Sequence, residues 1–220
     1  MRTVAKISIG ICLTIATTSA LAYFFVFKKD NSKKFTRAAL RPSPASDNKA
    51  TAAFHRLHQK AVEAKDYAIE NHFNEQRCFL IDMRIESGLK RFFVFNLAKD
   101  SVEASGLVTH GTGSSNGTEE LSFSNVPNSN ATSIGKYRVG KPYNGKFGLA
   151  YKLYGLDKTN NKAFDRFVVL HSHSCVPENE VSPAPICESW GCPTVAPAFL
   201  KILQKDIDHS SKPILLWIYY

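Results

Sequence analysis

Between Thr51 and Asn74, apolar residues recur at Ala53, Leu57, Ala61, Val62, Ala64 and Ala68, the three- and four-residue spacing of one helical face. Ser46, Asp47 or Thr51 is available as an N-cap, so an amphipathic helix is expected over 51–76, packed on the domain that follows. Beyond Arg77 the period shortens to two. Short runs rich in Phe, Val, Ile, Leu and Tyr lie at 77–84, 91–98, 102–109, 136–140, 148–155 and 166–172, separated by Gly, Asn, Ser or Asp. These read as strands. The Gly/Ser/Asn-rich segments 106–117 and 126–135 are too long for hairpin turns and are candidates to face a substrate. A helix is expected from Pro197 to Asp208 and a last strand from Pro213 to Tyr220. The pattern predicts a mainly β domain over 77–220, a sandwich or a mixed sheet, with two or three helices.

Ahead of this domain, Ile7 to Phe27 carries no charge over 21 residues and is bracketed by Arg2 and Lys6 on one side and Lys28 and Lys29 on the other. That length suits a hydrophobic helix, so residues 1–30 are expected to form a signal peptide or a membrane anchor. Either sends the chain out of the cytoplasm, to the periplasm, membrane-anchored or secreted. Residues 31–50 are polar, basic and Pro-containing and read as a linker. The net charge of +9 concentrates in the same region, because residues 1–41 hold eight Lys or Arg against one acid. The remainder is close to neutral, which excludes a nucleic-acid partner.

Candidate chemistry gathers between Arg166 and Val195, which holds two of the seven His and three of the five Cys. Alternation along 166–172 places Phe167, Val169 and His171 on one face, with His173 continuing it, so a histidine is delivered at a strand end. Cys192 follows a Pro-rich loop in Ser189-Trp190-Gly191-Cys192-Pro193. A thiol needs ionisation to be a nucleophile, and a neighbouring imidazole supplies it. The backbone N–H groups of Gly191 and Cys192 are the local donors for an oxyanion, since Pro193 has none. Taken alone, these residues are equally well explained by a structural histidine and a plain or disulfide-bonded cysteine.

A wider set of motifs in order is more specific: HGTGS (His110 to Ser114), FSN (Phe123 to Asn125), SIGKYRVG (Ser133 to Gly140), YNGKFGLAYKLYGLD (Tyr143 to Asp157), VVLH (Val168 to His171) and SWGCPTV (Ser189 to Val195). With these the chain resembles the murein L,D-transpeptidase catalytic-domain family, the YkuD-like cysteine enzymes, in the branch reading Ser-x-Gly-Cys-Pro. The resemblance spans roughly 77–220. It implies an L,D-transpeptidase-like fold, Cys192 as nucleophile, His171 as its base, peptidoglycan stem peptides as substrate, and neither metal nor ATP as cofactor. Attack on the third stem residue would expel the terminal D-Ala and leave a thioester, resolved by an amine or, in a carboxypeptidase, by water.

The chain also departs from the family. Trp190 stands where the broader family has a second His, and Ser172 where it has Gly. His173 therefore competes for the base role, and His110 is a third candidate. Ser189, Trp190, His173 and His110 are carried as secondary or substrate-binding positions. Cys175 and Cys187 bracket the loop before Cys192 and are candidates for a disulfide; a zinc site from His171, His173, Cys175, Cys187 and Cys192 is the rival. Lys141, Lys146, Lys152 and Arg138 read as solvent-facing, and Tyr137, Tyr143, Phe147, Tyr151 and Tyr154 as core. The alternative function is a non-catalytic cell-wall-binding or interaction domain of the same fold.

Overall fold

In β1 (Arg77–Asp82) the alternation sends Phe79 and Ile81 into one core cluster and Cys78 and Leu80 into another, and all four are fully buried. A strand buried on both faces must be covered on both. The computed structural model describes residues 44–117 and 120–220, nearly all of them in the unit Ser46–Tyr220. Helix α1 (Pro44–Glu70) lays Leu57, Ala61, Ala64 and Ala68 on the Cys78/Leu80 cluster. Helix α2 (Pro197–Asp208) brings Phe199, Leu200 and Leu203 to the Phe79/Ile81 cluster. Each buried Leu contributes about 2 kcal/mol by removal from water, and the small alanines of α1 let the helix sit close to the sheet.

The remaining strands are β2 (Phe92–Asn96), β3 (Ser101–Gly106), β4 (Gly135–Gly145), β5 (Gly148–Gly155), β6 (Val169–Ser172), β7 (Thr194–Val195) and β8 (Leu215–Tyr219). They form one eight-stranded mixed sheet in the order β3-β2-β1-β8-β4-β5-β6-β7, parallel at β1/β8 and β6/β7. The expected mixed sheet is present, with two helices packed against it. Pro142 falls where the β4/β5 register shifts, at an irregularity of the ladder that suits a residue without an N–H. The edge pair β6/β7 positions the site: its register sets His171 opposite Thr194, two residues past Cys192.

Several boundaries are corrected. Helix α1 runs from Pro44 to Glu70 and not over 51–76, so it takes in the last residues of the expected linker. Ser46, Asp47 and Thr51 lie inside the helix and not at its cap. Proline suits a first helical turn. At the other end His72 adopts φ 59°, and Phe73 N–H donates to Ala68 O, closing the helix early. Strand β6 starts at Val169 because Phe167 has φ 58°, which no strand accommodates; Phe167 therefore does not share a strand face with Val169 and His171.

The membrane expectation is also corrected. No helix among the described residues is long and apolar enough to cross a membrane, and the segment Ile7–Phe27 lies outside the described residues. The signal-peptide, transmembrane and membrane-anchored readings have no structural support and are not carried further.

Candidate active site

Ser189 closes the turn that presents the sulfur. Its hydroxyl donates to Cys192 O at 2.7 Å and accepts from Gly191 N–H at 3.1 Å. Thr109 Oγ1 donates to the same Cys192 carbonyl at 3.1 Å, and Thr194 N–H donates back to Thr109 Oγ1 at 3.2 Å. Gly191 has φ 103°, and a Cβ there would stand 2.7 Å from Ala131 O, so both conformation and space require glycine. Gly191 N–H is thus spent on Ser189, contrary to its expected service to an oxyanion. Trp190, between them, is 78% exposed and makes a wall of the cavity over Cys192.

The half-buried Cys192 sulfur makes two backbone contacts beside β6. It accepts from Val169 N–H at 3.5 Å and donates to Phe167 O at 3.7 Å. Burial pushes the thiol pKa above its ordinary 9.0, while the Val169 N–H and the positive charge of Arg166 pull against it. The resting sulfur is therefore a thiol.

His171 is almost fully buried and stacks on the Phe147 ring, with centroids 5.3 Å apart. Its Nδ1 lies 3.2 Å from Ser172 O, and its Nε2 lies 3.0 Å from Thr194 Oγ1. A carbonyl only accepts, so Nδ1 carries the proton and Nε2 holds a lone pair that takes the Thr194 hydroxyl hydrogen. Burial lowers the His171 pKa below 6.5, opposed by Ser172 O and reinforced by His173. At neutral pH the ring is neutral, with its basic nitrogen toward Thr194. His171, His173, Thr194, Trp190 and Cys192 all line one cavity of about 210 Å³. His173 sits on its rim, edge-on to Phe147, with Nδ1 accepting from Cys175 N–H at 3.1 Å.

His110 lies elsewhere, in the wall of a second cavity. Its Nδ1 accepts from Arg91 at 2.9 Å, and its Nε2 reaches Ser115 Oγ at 3.0 Å and Glu188 at 3.3 Å. Arg91 is fully buried; burial lowers its pKa to about 10, so it stays charged. Burial first and the Arg91 charge second lower the His110 pKa, against Glu188. With Nδ1 occupied by a guanidinium donor, His110 is a structural hub rather than a base for Cys192. Cys175 and Cys187 are bonded to each other, which removes both sulfurs from the rival zinc set. The residue-level reading missed Thr109, Thr194 and Arg166, although all sit in or beside the quoted motifs. Phe147 and Tyr143, expected in the core, are exposed, and Phe147 shields His171.

Comparison with known proteins gives a family. The L,D-transpeptidase catalytic domain matches residues 48–219. No curated protein matches. Among solved structures, a mutant of the helical cell shape determining protein Pgp2 from Campylobacter jejuni is similar at 10% identity and TM-score 0.43, covering 64% of this chain and 46% of that one. The Ldtfm-avibactam carbamoyl enzyme is similar at 12% and 0.41, over 67% and 50%. An L,D-transpeptidase from Xylanimonas cellulosilytica is similar at 13% and 0.36, over 70% and 68%. The chain thus spans about half the length of the first two. Likeness this distant carries no argument, and the assignment rests on the family match. Because that match takes in far more than half of the sequence, the chain belongs to the L,D-transpeptidase catalytic domain family.

Proposed function

We propose that the protein is a peptidoglycan L,D-transpeptidase that works through a thioester on Cys192, with His171 as its acid–base group. The observation that carries this reading is the shared cavity of Cys192 and His171, with the ring tautomer set by Ser172 O so that Nε2 is the basic nitrogen. When a stem peptide enters, the thiol turns from Phe167 O toward His171 and gives its proton to Nε2. The sulfur forms a bond to the carbonyl carbon of the third stem residue. The bond to the terminal D-Ala nitrogen then breaks, and that nitrogen takes the proton from His171. In the second half an acceptor amine attacks the thioester and gives its proton to Nε2. The C–S bond breaks and the sulfur is reprotonated. With Gly191 N–H engaged, the Cys192 N–H is the local donor assigned to the oxyanion.

The test is product analysis with a tetrapeptide-stem muropeptide. Cross-linked product plus free D-Ala supports transpeptidation, and a tripeptide stem plus D-Ala marks hydrolysis, the carboxypeptidase outcome. Sacculus binding with neither product, unchanged in Cys192→Ala, would establish the non-catalytic module instead.

A further inference from the structure

Arg166 and Phe167 form a two-residue unit that meets the nucleophile turn twice. The Phe167 carbonyl accepts the Cys192 thiol. The Arg166 guanidinium reaches across to the loop between Ser124 and Ala131. Nη1 donates to Ser124 O at 2.8 Å, and Nη2 donates to Ala131 O at 2.7 Å and to Ser129 Oγ at 3.2 Å. That same Nη2 lies 3.4 Å, and Ala131 O 2.7 Å, from the point where a Cβ on Gly191 would stand. The guanidinium and the carbonyl it grips therefore form the rear wall of the residue that precedes the nucleophile.

All three hydrogen-bond acceptors of Arg166 among the described residues are neutral oxygens, so no carboxylate there cancels its charge by direct pairing. Tyr137, the other ionisable neighbour behind the turn, is kept neutral, its pKa pushed up to about 12 by burial. On the cavity side the titratable groups are His171, His173 and Glu188. A half-buried cation beside a thiol, with no anion of its own, favours the thiolate when it forms.

We propose that Arg166 is a positioning residue: it clamps the 124–131 loop against the Gly191–Cys192 turn and supplies the positive charge toward which the sulfur ionises. This rests on Cys192 as the reactive thiol, but not on the identity of the peptide it attacks. The direction in which Arg166 moves the Cys192 pKa, downward against burial, agrees with it.

The test is the pH dependence of Cys192 alkylation by iodoacetamide in the full chain, followed by mass spectrometry of the Cys192 peptide. Arg166→Met is expected to raise the alkylation midpoint and slow the reaction at neutral pH by about tenfold, one pKa unit. Arg166→Lys, which keeps the charge, restores most of the midpoint and leaves amides 124–131 exchanging faster. An Arg166→Met midpoint equal to that of the unaltered chain overturns the inference. Should Arg166→Met not fold, the side-chain NMR signal of Arg166 decides. It is expected to titrate with the Cys192 midpoint and to stop doing so in Cys192→Ser; a signal indifferent to Cys192 overturns the inference. A Cys192 that never alkylates in the unaltered chain overturns this inference together with the nucleophile assignment, whereas a reactive Cys192 indifferent to Arg166 overturns this inference alone.

Discussion

Thr194 Oγ1 holds the basic nitrogen of His171 at 3.0 Å in the resting site. The contact exists because β6 and β7 pair in parallel with His171 opposite Thr194, so the short edge strand places a hydroxyl on the imidazole. A hydroxyl donated to Nε2 stabilises the neutral ring. Thr194→Val is expected to raise the His171 pKa by up to about one unit and to lower kcat/KM by about threefold to tenfold, as the ring loses its anchor. Imidazole titration by NMR alongside steady-state kinetics checks both effects; an unmoved pKa would show that the hydroxyl is not a donor.

The pH profile follows from the two raised or lowered groups. His171 titrates below 6.5, so it remains the neutral base down to weakly acidic pH and is lost as pH falls through its depressed value. Cys192 titrates above 9.0, so the resting thiol persists through neutrality. We expect kcat/KM to be flat across neutral pH, to decline as pH falls through the depressed His171 pKa, and to decline again above about pH 9, where Cys192 loses the proton that must reach the D-Ala nitrogen. A bell centred well below pH 6 would mean that a carboxylate, and not His171, carries the proton.

Gly191→Ala tests the turn. An alanine would have to hold φ 103° and would press its methyl toward Ala131 O. We expect a loss of about 2–4 kcal/mol by urea unfolding and acylation reduced by at least about a hundredfold, because the strain falls next to the sulfur. A stable, active variant would contradict the fit.

Arg56 is expected to matter for stability and not for chemistry. It meets the fully buried Asp82 through Nη2 at 2.8 Å and Nε at 2.9 Å, joining α1 to β1. Arg56→Ala would leave that carboxylate without its cation, a loss on the order of 3 kcal/mol by urea unfolding, with alkylation of Cys192 in the folded protein unchanged.

The elements most legible in the sequence were those whose own residues decide them. Strand β5 and helix α2 fall where the pattern put them, because alternation and a Pro start leave little choice. Strand β7, two residues long, exists only through its parallel pairing with β6 and leaves no local period to read. The Phe167 turn is dictated by the residues around it, since nothing in an apolar aromatic side chain announces a left-handed backbone. In the site, the Ser-x-Gly-Cys-Pro motif pointed to Cys192, and the strand-end position pointed to His171. His110, the third candidate in sequence, is held by Arg91, a buried guanidinium that no spacing argument could pair with it. Thr194 and Arg166 escaped because threonine in a strand and arginine at a strand start are unremarkable until the fold brings them to His171 and to Gly191.

The nucleophile assignment is tested most directly by incubating the purified chain with a carbapenem β-lactam and weighing the intact protein. The predicted result is a single covalent adduct, mapped to Cys192 and absent from Cys192→Ala. No adduct at all, or one that persists in Cys192→Ala, would contradict the assignment of the nucleophile.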